Sequence, residues 1–163
     1  HERDALQHIA NPQARSEAAR QWADERRSTL LAARTSFASE TVFSHPSKLA
    51  LIDAARSQGY TVALHIVALD DPQRLLTRVA QRVREGGHPV PPDRILARYP
   101  RTMAHLAQAV RLAHVAYLYD ARDIEHGGPR LVAVATAGGV TVVDAPLPAW
   151  AQRMLETSGN TSA

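Results

Sequence analysis

The residues best suited to chemistry in this chain are arginines. Between Arg74 and Arg101 stand Arg74, Arg78, Arg82, Arg84, Arg94, Arg98 and Arg101, opposed only by Glu85 and Asp93. That is a local excess of five positive charges in a chain whose net charge is +3, so the remainder is slightly acidic. Arg74, Arg78 and Arg82 recur at every fourth position and share one helix face. Leu75, Val79 and Val83 repeat at the same spacing beside them. Such a helix packs on its neighbours while presenting a row of guanidiniums. Arg94, Arg98 and Arg101 form a second row after the loop Gly86-Gly87-His88-Pro89, with Pro100 altering the last step. A guanidinium stays charged and offers a planar fork to phosphate or carboxylate. Two such helices joined by a Gly/Pro loop make a clamp able to close on phosphates. A plain solvated helix face is the competing reading. Nucleic-acid binding is disfavoured, because aromatic residues are only 5% of the chain and few interleave with the arginines for stacking.

A second feature is Glu40, in Ser36-Phe37-Ala38-Ser39-Glu40-Thr41-Val42-Phe43. A carboxylate at the carboxyl end of an inner strand is costly unless paired. There it either accepts substrate hydroxyls or closes a salt bridge with an arginine. Thr41 and Ser44 either line the same place or cap the next helix, and His45 is a further candidate cap. His88, inside the Gly/Pro loop, either touches substrate or shapes the turn. None of the eight His stands in a metal-binding frame, and His65 falls in an apolar strand, as a core histidine would. No metal site is predicted. Hydrolase signatures are missing: there is no G-x-S-x-G, and with no Cys there is neither a thiolate nucleophile nor a disulfide. The sequence also lacks G-x-x-x-x-G-K-[ST]. Its one lysine, Lys48, sits in His45-Pro46-Ser47-Lys48-Leu49 without glycines.

The elements that must position these residues follow from pattern. Residues 14–33 lack Gly and Pro and read as a helix. Ser36 to Phe43 reads as a short strand on the strength of Phe37 and Val42. A helix starting near Pro46 carries Leu49, Leu51, Ile52 and Ala55 and ends at Gly59. Tyr60 to Leu69 is almost wholly apolar, as for a strand buried on both faces. Asp71-Pro72 opens the first arginine helix, which runs to about Arg84. The second runs from Asp93 to Tyr99, breaks at Pro100 and resumes to about Ala113. His114 to Tyr119 is a strand ending at Asp120. Leu131 to Val143 is a hairpin turning at Ala137-Gly138-Gly139. Pro148 to Leu155 is a final helix, and residues 156–163 read as a flexible tail.

This order predicts an α/β fold, with a mostly parallel sheet flanked by helices on both faces and a C-terminal β-hairpin. Residues 1–155 form a single domain, with an arginine-rich helical lid over about 71–113. Ligands of such sheets sit beyond the carboxyl ends of the strands, here Thr41-Val42-Phe43, Ala68-Leu69-Asp70 and Leu118-Tyr119-Asp120. No apolar run approaches the ~20 residues of a membrane-spanning helix, and no signal peptide is visible, so the default expectation is a soluble cytoplasmic protein.

Several of these segments are familiar as a set. They are Ser36 to Ser44, Gly59-Tyr60-Thr61-Val62, Arg78-Val79-Ala80-Gln81-Arg82-Val83, Gly86-Gly87-His88-Pro89-Val90-Pro91 and Arg98-Tyr99-Pro100-Arg101. Together they resemble the zeta toxin-like kinases, a branch of the P-loop NTPases, over roughly Ala14 to Asp120. The resemblance implies phosphoryl transfer from ATP, with magnesium, to a hydroxyl such as that of a UDP-amino sugar. It implies that Glu40 holds the sugar, and that Arg78 or Arg82 faces the ATP phosphates from the lid. By the same resemblance Arg98 and Arg101 neutralise charge during transfer, and an antitoxin protein is a possible partner. The family's first strand, its Walker A loop and lysine, and the aspartate that serves as base would all precede residue 1. The expectation is therefore that this stretch alone is inactive and the intact protein is the kinase. The alternative is a non-catalytic module whose arginines bind an acidic protein or a nucleic acid.

Overall fold

A computed structural model describes residues 8–86, 90–123 and 127–159. The chain divides into two compact units, His1–Thr41 and Val42–Ala163.

The first unit is built on helix α1 (Pro12–Ala32). Asn11 caps it, its side-chain oxygen accepting from the backbone amides of Gln13 at 2.9 Å and Ala14 at 3.0 Å. Arg20 pairs with Glu17 and Arg27 with Asp24 along the helix surface. The stretch predicted as a strand, Ser36 to Phe43, is irregular instead. Strand propensity at Phe37 and Val42 is not enough without a neighbouring ladder to take up the backbone groups. None of the four strands described below pairs with this segment.

The second unit runs α2 (Ser47–Ser57), β1 (Ala63–Ala68), α3 (Pro72–Arg84), α4 (Pro92–Leu112), β2 (Val115–Asp120), β3 (Arg130–Thr136), β4 (Gly139–Val142) and α5 (Ala149–Gly159). Gly59 ends α2 as expected. It takes φ +83, the left-handed conformation glycine tolerates, while the Tyr60 amide reaches back to the Ala55 carbonyl at 3.0 Å. Helix α4 is continuous through Pro100, where a break was predicted. Pro100 lies on the exposed side, so the carbonyl left unpaired by its missing amide can face water.

The sheet order is β1-β2-β3-β4. Strands β1 and β2 are parallel, with Ile66 opposite Leu118. Strands β2 and β3 are antiparallel, as are β3 and β4. The fold class is α/β, but the sheet is mixed rather than mostly parallel. The connections explain this. The stretch 69–114 holds two helices and can cross over to a parallel neighbour. The stretch 121–129 is too short for a helical crossover, so β3 returns antiparallel. The C-terminal hairpin forms as predicted, turning between Thr136 and Gly139.

One sheet face carries the core. Ile66, Ala116, Leu118, Val132, Ala133 and Ala135 pack against Ala107 and Val110 of α4 and Trp150, Ala151 and Met154 of α5. A second cluster joins Phe43, Ile52 and Ala109, seating α2 on α4. The other face is not covered in the way the sequence implied. Ala63, His65 and Val67 of β1 are exposed, Val67 at 51%. His65 is therefore no core histidine. It stacks on Tyr117 at 4.8 Å between ring centres, and its Nδ1 lies 3.3 Å from the Tyr119 hydroxyl. An unbroken apolar run does not distinguish a strand covered on both faces from one covered on a single face. Among the described residues, no helix is long and apolar enough to cross a membrane.

Candidate functional site

The carboxyl end of β1 is a junction from which three helices are held. Leu69 is 3% exposed, and its carbonyl accepts a hydrogen bond from the Tyr99 hydroxyl of α4 at 2.7 Å. The Asp70 carboxylate accepts the amides of Ala149 at 3.1 Å and Trp150 at 2.6 Å, satisfying the first turn of α5. Asp71 caps α3, its carboxylate accepting the Gln73 amide at 2.8 Å.

The neighbouring end of β2 supplies Asp120, the buried charged residue of the core, at 3% exposure. A buried carboxylate needs a partner. Arg122 Nε lies 3.8 Å from it, and the Arg122 amide donates to it at 3.3 Å. Arg122 also reaches Asp70 at 3.9 Å, and Arg153 donates to Asp70 at 3.3 Å. Arg74, the first of the α3 row, donates to the Arg122 carbonyl at 3.4 Å. Two strand-end carboxylates are thus neutralised by two guanidiniums, with the start of an arginine row beside them.

The predicted site residues fall in both units of the chain. Arg78 is half-buried on α3, and Arg82 occupies the same helix one turn on. Arg94, Arg98 and Arg101 are exposed on α4 and form no ion pair with any described residue. Helix α3 packs against α4, so the two rows belong to one unit. His88 lies outside the described residues. Glu40 and Thr41 belong to the first unit, both exposed on irregular backbone rather than at a strand end. The Arg27 guanidinium donates to the Ser39 hydroxyl at 3.2 Å, next to Glu40. Among the described residues, no three His, Asp or Glu side chains are grouped to hold a metal.

Sequence reasoning did not single out Tyr99, Arg122 or Arg153. Asp70 and Asp120 were visible as the ends of apolar strands, but not their partners, which lie up to 83 positions away. Burial, with the negative charges of Asp70 and Asp71 close by, raises the Tyr99 pKa above its ordinary value of 10.0, against a smaller opposing pull from Arg153. The folded chain therefore keeps a proton that the unfolded chain gives up. The resulting stabilisation is complete below the unfolded value and is lost as pH rises through the folded one. Tyr99→Phe removes that component. Between about pH 9 and 11 its unfolding midpoint in urea is expected to fall less steeply than that of the wild type.

An α/β sheet whose parallel strands end among arginine-bearing helices has the frame of a P-loop kinase-like fold. The family model for Zeta toxin matches residues 5–126, most of the chain, and the chain belongs to the Zeta toxin family. That family is one of P-loop kinase-like, ATP-using enzymes. No curated protein and no solved structure matches the chain.

Proposed function

We propose that the full-length protein is an ATP-dependent kinase that transfers a phosphoryl group to a hydroxyl of a small molecule, a UDP-amino sugar being the first candidate. One observation carries this reading. Arg94, Arg98 and Arg101 stand exposed and without ion-pair partners among the described residues, on a helix tied to the carboxyl end of β1. Phosphoryl transfer asks mainly for positioning and for cations around the oxygens where charge builds up. Arg98 and Arg101 supply that charge from α4, and Arg78 and Arg82 from α3. The acceptor-binding role proposed for Glu40, Thr41 and His88 rests on the resemblance to the family alone, with Glu40 accepting hydrogen bonds from the acceptor's hydroxyls.

The phosphate cradle is not among these residues, since no Walker A sequence occurs in the 163. On this reading it is supplied by sequence preceding His1. The strand-end carboxylates do not fit a magnesium ion. Asp70 is taken up by two amides and Arg153, and Asp120 by Arg122. Magnesium would enter with the nucleotide, and no role for this chain's carboxylates is assigned to it.

The test is a screen of the full-length protein with γ-labelled ATP against nucleotide sugars, free sugars and nucleosides. Label on an organic hydroxyl supports the reading. An absence of ATP turnover, together with binding to an acidic protein partner that weakens steeply with salt, favours the interaction module instead.

A further inference from the structure

Tyr99 stands between Arg98 and Pro100-Arg101, in the middle of the second arginine row. Its hydroxyl donates to the Leu69 carbonyl across 30 positions of sequence. Leu69 is the last buried residue of the β1 run, and Asp71, two residues on, caps the helix that carries the first row. One hydrogen bond thus joins the two arginine helices through the end of a core strand. The join falls where α4 is weakest along its own axis. Pro100 has no amide, so one rung of the helical ladder is missing beside Tyr99. A lateral anchor at this point fixes the rotation of the preceding turns, which the helix's own hydrogen bonds hold less firmly.

We infer that Tyr99 is a positioning residue, whose hydrogen bond to the Leu69 carbonyl sets where Arg98 and Arg101 present their guanidiniums. The inference rests on the kinase reading above and deepens it. Tyr99 touches no substrate and acts through the two arginines that flank it. The phenol is protonated at neutral pH, and its raised pKa keeps it a donor further into the alkaline range.

The experiment compares four forms of the full-length protein, with γ-labelled ATP as the probe and water as the phosphoryl acceptor. They are wild type, Y99F, R98A/R101A and the triple variant. Phe keeps the ring and its packing and removes only the donor. Y99F is expected to lose about tenfold in kcat, the scale of one hydrogen bond acting on geometry, with KM for ATP almost unchanged. The triple variant is expected to turn over ATP at the rate of R98A/R101A, because a residue acting through the arginines has nothing left to position. A Y99F kcat equal to the wild type overturns the inference. So does a triple variant slower than R98A/R101A by the full Y99F factor, which would mark a general structural role. Wild-type protein with no ATP turnover, either with water or with any acceptor of the screen above, overturns the kinase reading itself, a result distinct from either of these.

Discussion

Replacing Arg98 and Arg101 together by alanine is expected to slow phosphoryl transfer by about 1,000-fold, the scale for removing arginines that neutralise a transferring phosphoryl group. The same variant should unfold at nearly the wild-type urea concentration. Both side chains are exposed and make no ion pair with a described residue, so the folded state loses little when they are truncated. That separation of activity from stability distinguishes a catalytic surface from a merely solvated one. If the row is only a solubilising face, the double variant turns over like the parent. Arg98→Lys and Arg101→Lys should restore part of the rate, since they return the charge without the planar fork.

The largest stability effect is expected at Trp150. It is fully buried, packed with Met154, Leu118 and Val132 between α5 and the sheet. Its backbone amide is also the 2.6 Å donor to Asp70, so the ring and the helix start are fixed together. Trp150→Ala should cost about 3–5 kcal/mol through lost burial and the cavity left behind. In a chain of this size that lowers the melting temperature by roughly 10 °C or more. Trp150→Phe should cost less. The indole Nε1 has no hydrogen-bond partner among the described residues, so its loss removes no bond seen there. Chemical denaturation followed by circular dichroism would measure both.

Local signals in the sequence were reliable where one residue type decides a local geometry. Asp71-Pro72 marked the start of α3, Gly59 the end of α2, and Ala137-Gly138-Gly139 the hairpin turn. What depended on distant partners was not legible. Ser36 to Phe43 has strand-forming residues but joins no ladder among the described residues, and so stays irregular. The apolar run of β1 does not reveal that His65 and Val67 lie on an open face. The antiparallel return of β3 follows from the short connection after Asp120, a constraint of chain length rather than of residue type. At the candidate site the arginine rows were evident from spacing alone. The junction that organises them was not, because Tyr99 meets Leu69, and Asp70 meets Trp150, only in the folded chain. Glu40 illustrates the reverse: of its two grounds, the strand end is one that the structure does not form, and the family resemblance is the other.

The central claim is that the arginines of α4 act on the phosphoryl group in flight rather than merely holding ATP. Single-turnover kinetics test it most directly. Full-length wild type and R98A/R101A would be loaded with γ-labelled ATP, and the loss of label from ATP followed alongside a separate measurement of ATP affinity. The account predicts a chemical step slowed by about 1,000-fold, with affinity changed only a few-fold. A chemical step at the wild-type rate, with the whole loss appearing in affinity, would contradict it.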